Sequence, residues 1–193
     1  MQQKQEKCLL KICNHFSDSF VYMLKGADAV DRYTVNETEF NKKYEQYSPL
    51  VFRTAYQYLF NTYAAEDITQ EAFIKLLTQR KQFNNTEHEK AWLLRVTVNL
   101  CKNYVNARAN NSLPFNEEIG LYDNSFEMSF ENRIDIEREL NKLSAQQRLI
   151  MYLYYYEHYR VKEIAKITGR KVNTVKSDLK RARDILKNNV SRE

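Results

Sequence analysis

Residues 161–186 read VKEIAKITGRKVNTVKSDLKRARDIL, and this stretch decides the fold. Its first part sets Val161, Ile164, Ala165 and Ile167 at helical spacing. Thr168 and Gly169 then stop the helix, because glycine is free to take the positive φ of a C-cap. Its second part spaces Val175, Leu179, Ala182 and Leu186 by 4, 3 and 4, so they share one helix face. Helix, glycine turn, helix is the helix-turn-helix arrangement. The other side of the second helix bears Asn173, Thr174, Lys176, Ser177, Lys180, Arg181 and Arg183, with Lys171 just ahead of it. A helix of this kind fits the DNA major groove: short polar side chains reach base edges, and flanking Lys and Arg hold phosphates. The bland alternative is an ordinary surface helix of a bundle; the glycine turn and the basic excess favour DNA.

Outward from this motif the chain divides readily. Ser144 with Gln147 three residues on forms a capping box ahead of Leu149, Ile150 and Leu153, so a C-terminal domain spans 139–190. Residues 109–138 carry most of the local acid, a proline and a glycine, with no sustained period; they read as a flexible acidic linker. Residues 38–108 read as a helical bundle. Phe40, Tyr44, Tyr47, Val51, Ala55 and Tyr58 line one helix, and a break follows at 61–63. Ile68, Ala72 and Leu76 line a second helix, with Glu66 and Asp67 expected in its first turn. FNNTEHEK (83–90) reads as a polar loop, and Ala91, Leu94, Val98, Cys101 and Val105 line a third helix. Residues 1–37 form an N-terminal extension of unknown role, and Met23 within it is an alternative start. The expected class is all-α: two small helical domains joined by the linker.

Charge sharpens the division. Net charge is 0 over 1–37, +3 over 38–108, −6 over 109–139 and +8 over 140–193. A basic end is an electrostatic footprint for phosphate. Only 3 Gly and 2 Pro argue against turn-rich β architectures. No apolar run is long enough to span a bilayer, and the start lacks the pattern of a secretory signal. Three cysteines, an odd number, fit a reducing cytoplasm better than a disulfide scaffold.

Two sets of residues resemble one family. Leu143-Ser144, Glu163-Ile164-Ala165, Gly169, Thr174-Val175-Lys176-Ser177 and Arg181-Ala182-Arg183 resemble region 4 of extracytoplasmic-function (ECF) sigma factors, a branch of the sigma-70 family. Ala65-Glu66-Asp67, Gln70-Glu71, Phe73, Ala91-Trp92-Leu93, Arg95, Asn99 and Tyr104 resemble region 2. A lone helix-turn-helix would be a weak signal; the ordered pair is specific. The departures are Arg170-Lys171-Val172-Asn173 in the turn, where Lys171 cannot cap the next helix as the usual Ser would. Asp178 stands where a basic residue is common, and Asn103 replaces a frequent Asp.

The resemblance implies a factor that directs core RNA polymerase to promoters and assists their melting. Region 2 would dock on the polymerase β′ coiled coil through Asp67, Gln70, Glu71 and Ile74, spaced i, i+3, i+4 and i+7. It would engage the downstream (−10) element through Lys90, Trp92, Arg95, Asn99, Lys102 and Tyr104, the rings stacking on bases and the cations following the backbone. For Trp92, core packing is an equal alternative. Region 4 would bind the upstream (−35) element and the β flap. The linker would thread toward the active-site channel, with Glu117, Glu118, Asp123 and Glu127 as its acids. An anti-sigma factor, often membrane-bound, is a further implied partner.

No catalytic, metal or cofactor site competes with this reading. Cys8, Cys13 and His15 lack a fourth ligand for zinc. His88 and His158 stand without a nucleophile pattern, and there is no P-loop or dinucleotide motif. The tyrosines of 152–159 read as packing residues. The factor is therefore expected to be no enzyme. The competing function is a helix-turn-helix regulator that binds DNA without polymerase.

Overall fold

The computed structural model describes residues 37–79, 83–110 and 138–190. Cys8, Cys13, His15, Met23 and the linker acids lie outside them. Six helices follow in order: α1 (Glu37–Leu59), α2 (Thr62–Leu77), α3 (Thr86–Asn110), α4 (Ala145–Tyr155), α5 (Val161–Thr168) and α6 (Val172–Val190). A short helical turn at 138–141 precedes α4, and no strand occurs among the described residues.

Helices α1 to α3 pack on one another as the first region. The α1 stripe is buried as the spacing predicts, except that Tyr44 is half-buried. It does so across Pro49, inside the helix. Proline removes one backbone donor there, and the residue four before it, Glu45, is exposed. Phe73 of α2 fills the centre, meeting Phe40 edge-on at 6.2 Å and Tyr44 at 4.7 Å between ring centroids.

Three boundaries differ from the sequence reading. α2 begins at Thr62, capped by Asn61, whose side chain accepts from Ala64 N at 2.8 Å. The first turn therefore holds no acid, and Glu66 and Asp67 fall in the second turn. The sequence reading puts Asn61 in the break; its capping oxygen is what lets the helix start early. α3 likewise begins at Thr86, inside the expected polar loop. Asn85 Oδ1 accepts from His88 N at 2.8 Å and starts it. Glu89, in that first turn, is buried and accepts from Lys43 Nζ at 2.7 Å and Tyr47 Oη at 3.4 Å. Burial works against the Lys43 ammonium, but the Glu89 bond and charge, with Glu39 adding, outweigh it and raise its pKa above the ordinary lysine value. Val105, expected in the core, is exposed, while Leu94, Val98 and Cys101 are buried.

The second region is α4 to α6. The capping box is present: Gln147 N donates to Ser144 Oγ at 3.3 Å and Ser144 N to Gln147 Oε1 at 3.0 Å. Leu149, Ile150, Leu153, Ile164, Ile167, Val175, Leu179 and Ala182 are buried, and Leu186 is half-buried. The tyrosine cluster splits. Tyr152 is buried and donates to Glu157 at 2.6 Å, but Tyr154, Tyr155 and Tyr156 are exposed. A run of three consecutive residues on a helix cannot all face one core.

The two regions share one continuous apolar core. α4 packs on α1, and α5 packs on α3. The acidic connection gave no sign of this.

Candidate nucleic-acid interface

Helix α5 starts with Glu163 Oε2 accepting from Arg160 N at 2.7 Å. It ends at Gly169, whose φ of +69° is the left-handed C-cap read from the sequence. Arg170 N donates to Ala165 O at 2.9 Å and closes that cap. The chain then turns directly into α6.

Along α6, successive residues are about 100° apart. Asn173, Thr174, Lys176, Ser177, Lys180, Arg181 and Arg183 therefore fall on one continuous half of the cylinder. Val175, Asp178, Leu179 and Ala182 fall on the other half and are buried. Six of those seven are exposed, as is Lys171; Thr174 is half-buried. Ser177 Oγ donates to Asn173 O at 2.9 Å, which leaves its oxygen as an acceptor. Arg183 Nε donates to Leu179 O at 3.2 Å, so the helix itself orients this guanidinium.

Two departures from the family pattern are partners. Arg170 Nη1 donates to Asp178 Oδ2 at 2.5 Å, and Arg181 lies 4.0 Å from Asp178 Oδ1. The pair ties the turn to the second turn of α6. It does a positioning job for which the sequence offered no Ser cap.

The residues of α3 assigned to the −10 element do not form one surface. Trp92, Arg95, Asn99 and Lys102 are spaced 3, 4 and 3 and share a face. Arg95 and Asn99 are exposed; Lys102 is half-buried. Trp92 is half-buried against the core, its ring 5.3 Å from Phe83, so packing and an accessible edge coexist. Lys90 and Tyr104 point elsewhere. Lys90 Nζ sits 5.5 Å over the Tyr159 ring, and Tyr104 Oη accepts from Arg108 at 2.7 Å.

On α2, Asp67 and Glu71 are exposed, Gln70 is half-buried, and Ile74 packs partly against the core. Glu71 pairs with Lys75 at 3.4 Å. The stripe is a polar ridge with one apolar edge. Beside it, burial and then the neighbouring Asp67 raise the Glu66 pKa.

Sequence reasoning missed Arg148. Its side chain is buried, and its Nε donates to Gln57 O of α1 at 2.9 Å. Its Nη1 donates to Leu140 O at 3.2 Å and Leu143 O at 3.1 Å. An arginine among Gln146, Gln147 and Leu149 gives no local signal of this role.

This arrangement defines a class: a helical protein of two regions, the second a DNA-reading helix-turn-helix. Residues 44–110 match the family description Sigma-70 region 2, and residues 133–186 match Sigma-70, region 4. The chain is 28% identical to RNA polymerase sigma factor SigV of Bacillus subtilis over 142 residues, covering 74% of this chain and 85% of that one. It is 30% identical to ECF RNA polymerase sigma factor SigE of Mycolicibacterium smegmatis over 149 residues, 74% of this chain and 58% of that one. The fold is similar to that of the sigma factor RpoE in complex with the anti-sigma factor NepR from Bartonella quintana. The TM-score is 0.64 at 22% identity, covering 79% of this chain and 97% of that one. The chain belongs to the ECF branch of the sigma-70 family. It is a transcription initiation factor that works with core RNA polymerase and promoter DNA, and the reading as a polymerase-independent regulator gives way. Among the described residues, no helix is long and apolar enough to cross a membrane.

Proposed function

We infer that residues 139–190 read the −35 element through α6, and that residues 38–108 bind polymerase and the −10 element. The observation that carries this is the exposed half-cylinder of α6, with Asn173 and Ser177 at its centre and Lys176, Lys180, Arg181 and Arg183 around them. Asn and Ser contact base edges; the cations hold phosphates on either side. Asp67, Gln70, Glu71 and Ile74 meet the β′ coiled coil, and region 4 meets the β flap. Trp92, Arg95, Asn99 and Lys102, which share one face of α3, follow the melted −10 strand, and Lys90 and Tyr104 drop out of that surface.

The factor makes no bonds of its own and acts in the cytoplasm, with an anti-sigma factor as a further partner. Residues 111–137 could reach about 95 Å at full extension, which accommodates two promoter elements about 25 base pairs, or roughly 85 Å, apart. The experiment is transcript mapping with core polymerase and this factor on promoter libraries. A −35 preference that shifts when Asn173→Ala or Ser177→Ala is introduced supports the assignment. An unshifted preference removes α6 from the major groove.

A further inference from the structure

Arg170 and Asp178 meet across the turn of the helix-turn-helix. Arg170 Nη1 donates to Asp178 Oδ2 at 2.5 Å, and the Asp178 side chain is 10% exposed against 29% for Arg170. On α6, Asp178 sits at the seam between the buried and polar halves, about 40° around the helix from Thr174 and about 60° from Arg181. Arg181 Nη1 is 4.0 Å from the other oxygen, Oδ1, yet its side chain is 71% exposed, so Asp178 steers it without consuming it. Lys171, just before α6, carries no side-chain acceptor and cannot cap the helix. The Arg170–Asp178 pair joins the turn to α6 in place of a cap. A charge-assisted bond from a planar guanidinium is directional, so it fixes the angle at which α6 leaves the turn. Both partners belong to one helix-turn-helix, so the tie is internal to it.

The same pair disposes of a cation. Arg170 lies just ahead of the N-terminal end of α6, the end whose side chains reach base edges in a helix-turn-helix. A free guanidinium there would meet a phosphate at the groove rim, and a phosphate contact carries no sequence information. Arg170 also lies near another cation, Lys102, whose Nζ donates to Thr168 O at 2.6 Å. Burial and then the Arg170 charge lower the Lys102 pKa. Asp178 holds Arg170 in place against that repulsion.

We propose that Arg170 and Asp178 are positioning residues for −35 discrimination: Asp178 fixes the angle of α6 and withholds Arg170 from the DNA backbone, so that selection falls to Asn173 and Ser177. This rests on the reading of the −35 element by α6.

The test compares holoenzyme affinity for two duplexes across a salt series. One is a promoter found by transcript mapping; the other is the same promoter with its −35 element scrambled. Asp178→Asn keeps the shape and removes the charge. Discrimination between the duplexes falls about tenfold, and the salt slope on the scrambled duplex rises by about one as Arg170 takes a phosphate. Arg170→Ala loses the same discrimination with no rise in slope. Arg170→Asp with Asp178→Arg rebuilds the pair in reverse and returns most of the discrimination. A folding defect alone would weaken both duplexes equally, and the exchange would not rescue it. Discrimination by Asp178→Asn within about twofold of the parent overturns the positioning role. Lost discrimination with an unchanged slope overturns the withholding of Arg170. An exchange that restores nothing overturns the pairing. If Asp178→Asn unfolds the region, seen as lost helical circular dichroism, Arg170→Ala decides, and parent-level discrimination there overturns the proposal. Asn173→Ala in the same assay separates this proposal from the reading beneath it. If Asn173→Ala loses discrimination and Asp178→Asn keeps it, α6 reads the element and the pair does not position it. If neither loses it, the reading by α6 fails and the proposal with it.

Discussion

The two surfaces proposed to face DNA in this sigma factor are built in opposite ways. On α6, the polar half-cylinder is displayed apart from half-buried Thr174, and its buried half is packed by its own region. On α3, the corresponding face is shared: Arg95 and Asn99 are open, while Lys102 is bonded to the other region and Trp92 leans into the core. A surface made by one helix-turn-helix is complete as soon as that motif folds. A surface made along a long helix between two partners depends on which partner is present.

The largest expected effects fall on the open surface and on the polymerase ridge. Lys180→Ala with Arg181→Ala removes two phosphate contacts, so promoter binding should fall about 100-fold and the salt slope by about two. Filter binding of holoenzyme across a salt series checks it. An unchanged slope would erase the distinction between the faces, because α6 would then be no more engaged than α3. Asp67→Arg with Gln70→Ala should abolish capture of core polymerase while circular dichroism stays native, since Asp67 is exposed and Gln70 half-buried. Retained capture removes α2 from the polymerase interface.

Next comes the packing that supports the α3 face. Glu89→Ala takes the acceptor from Tyr47 and leaves Lys43 with only Glu39, 3.4 Å away, and should destabilise the protein by about 1–3 kcal/mol in urea. The sign with pH follows from the raised Lys43 pKa. The contribution is fully present below the ordinary lysine pKa and fades as pH rises through the higher folded value. The difference between parent and variant should therefore be constant near neutrality and shrink in strong alkali. A difference that shrinks between pH 6 and 8 contradicts the pairing.

Smaller effects sharpen the account of the helix-turn-helix. Gly169→Ala forces a side chain into φ of +69°, but its Cβ would meet nothing within 4 Å. The cost is therefore backbone strain alone, about 1–2 kcal/mol. Ser144→Ala loses the capping box and about 1 kcal/mol. Thermal melts of the two variants rank them, and a Gly169→Ala loss above about 3 kcal/mol would point to a contact the turn does not have. Smallest is the behaviour of Cys101 inside α3. Burial pushes its thiol up to about 12, so iodoacetamide at pH 8 should leave it unmodified in the native protein and label it in urea. Labelling of the folded protein would mean that the α3 core opens readily.

Much of the helix-turn-helix was legible because its signals are local. Gly169, the Ser144–Gln147 box and the 4, 3, 4 spacing each lie within a few residues and keep their meaning in any tertiary context. The boundaries of α2 and α3 were less legible. Asn61 and Asn85 start those helices from positions that read as loop, because a cap and a loop use the same residue types. Glu89 looked like part of a polar stretch, since only a partner 46 residues away makes its burial tolerable. The −10 set joins Trp92, Arg95, Asn99 and Tyr104 of the family pattern to the nearby cations Lys90 and Lys102; spacing along α3 separates Lys90 and Tyr104 from the other four.

Sequence by itself determined most of the helices, the register of their apolar faces, the polar, exposed side of α6 and the family. Each depends on periodicity, caps and motif order, which are properties of a short stretch of chain. Tertiary structure alone decided that Arg170 and Asp178 compensate each other and that the two regions share a core. It alone gave Arg148 and Lys102 their places at each other's helix ends. Those are meetings of an unpaired carbonyl or a buried charge with a group far along the chain, and no local spacing encodes which distant cation satisfies it.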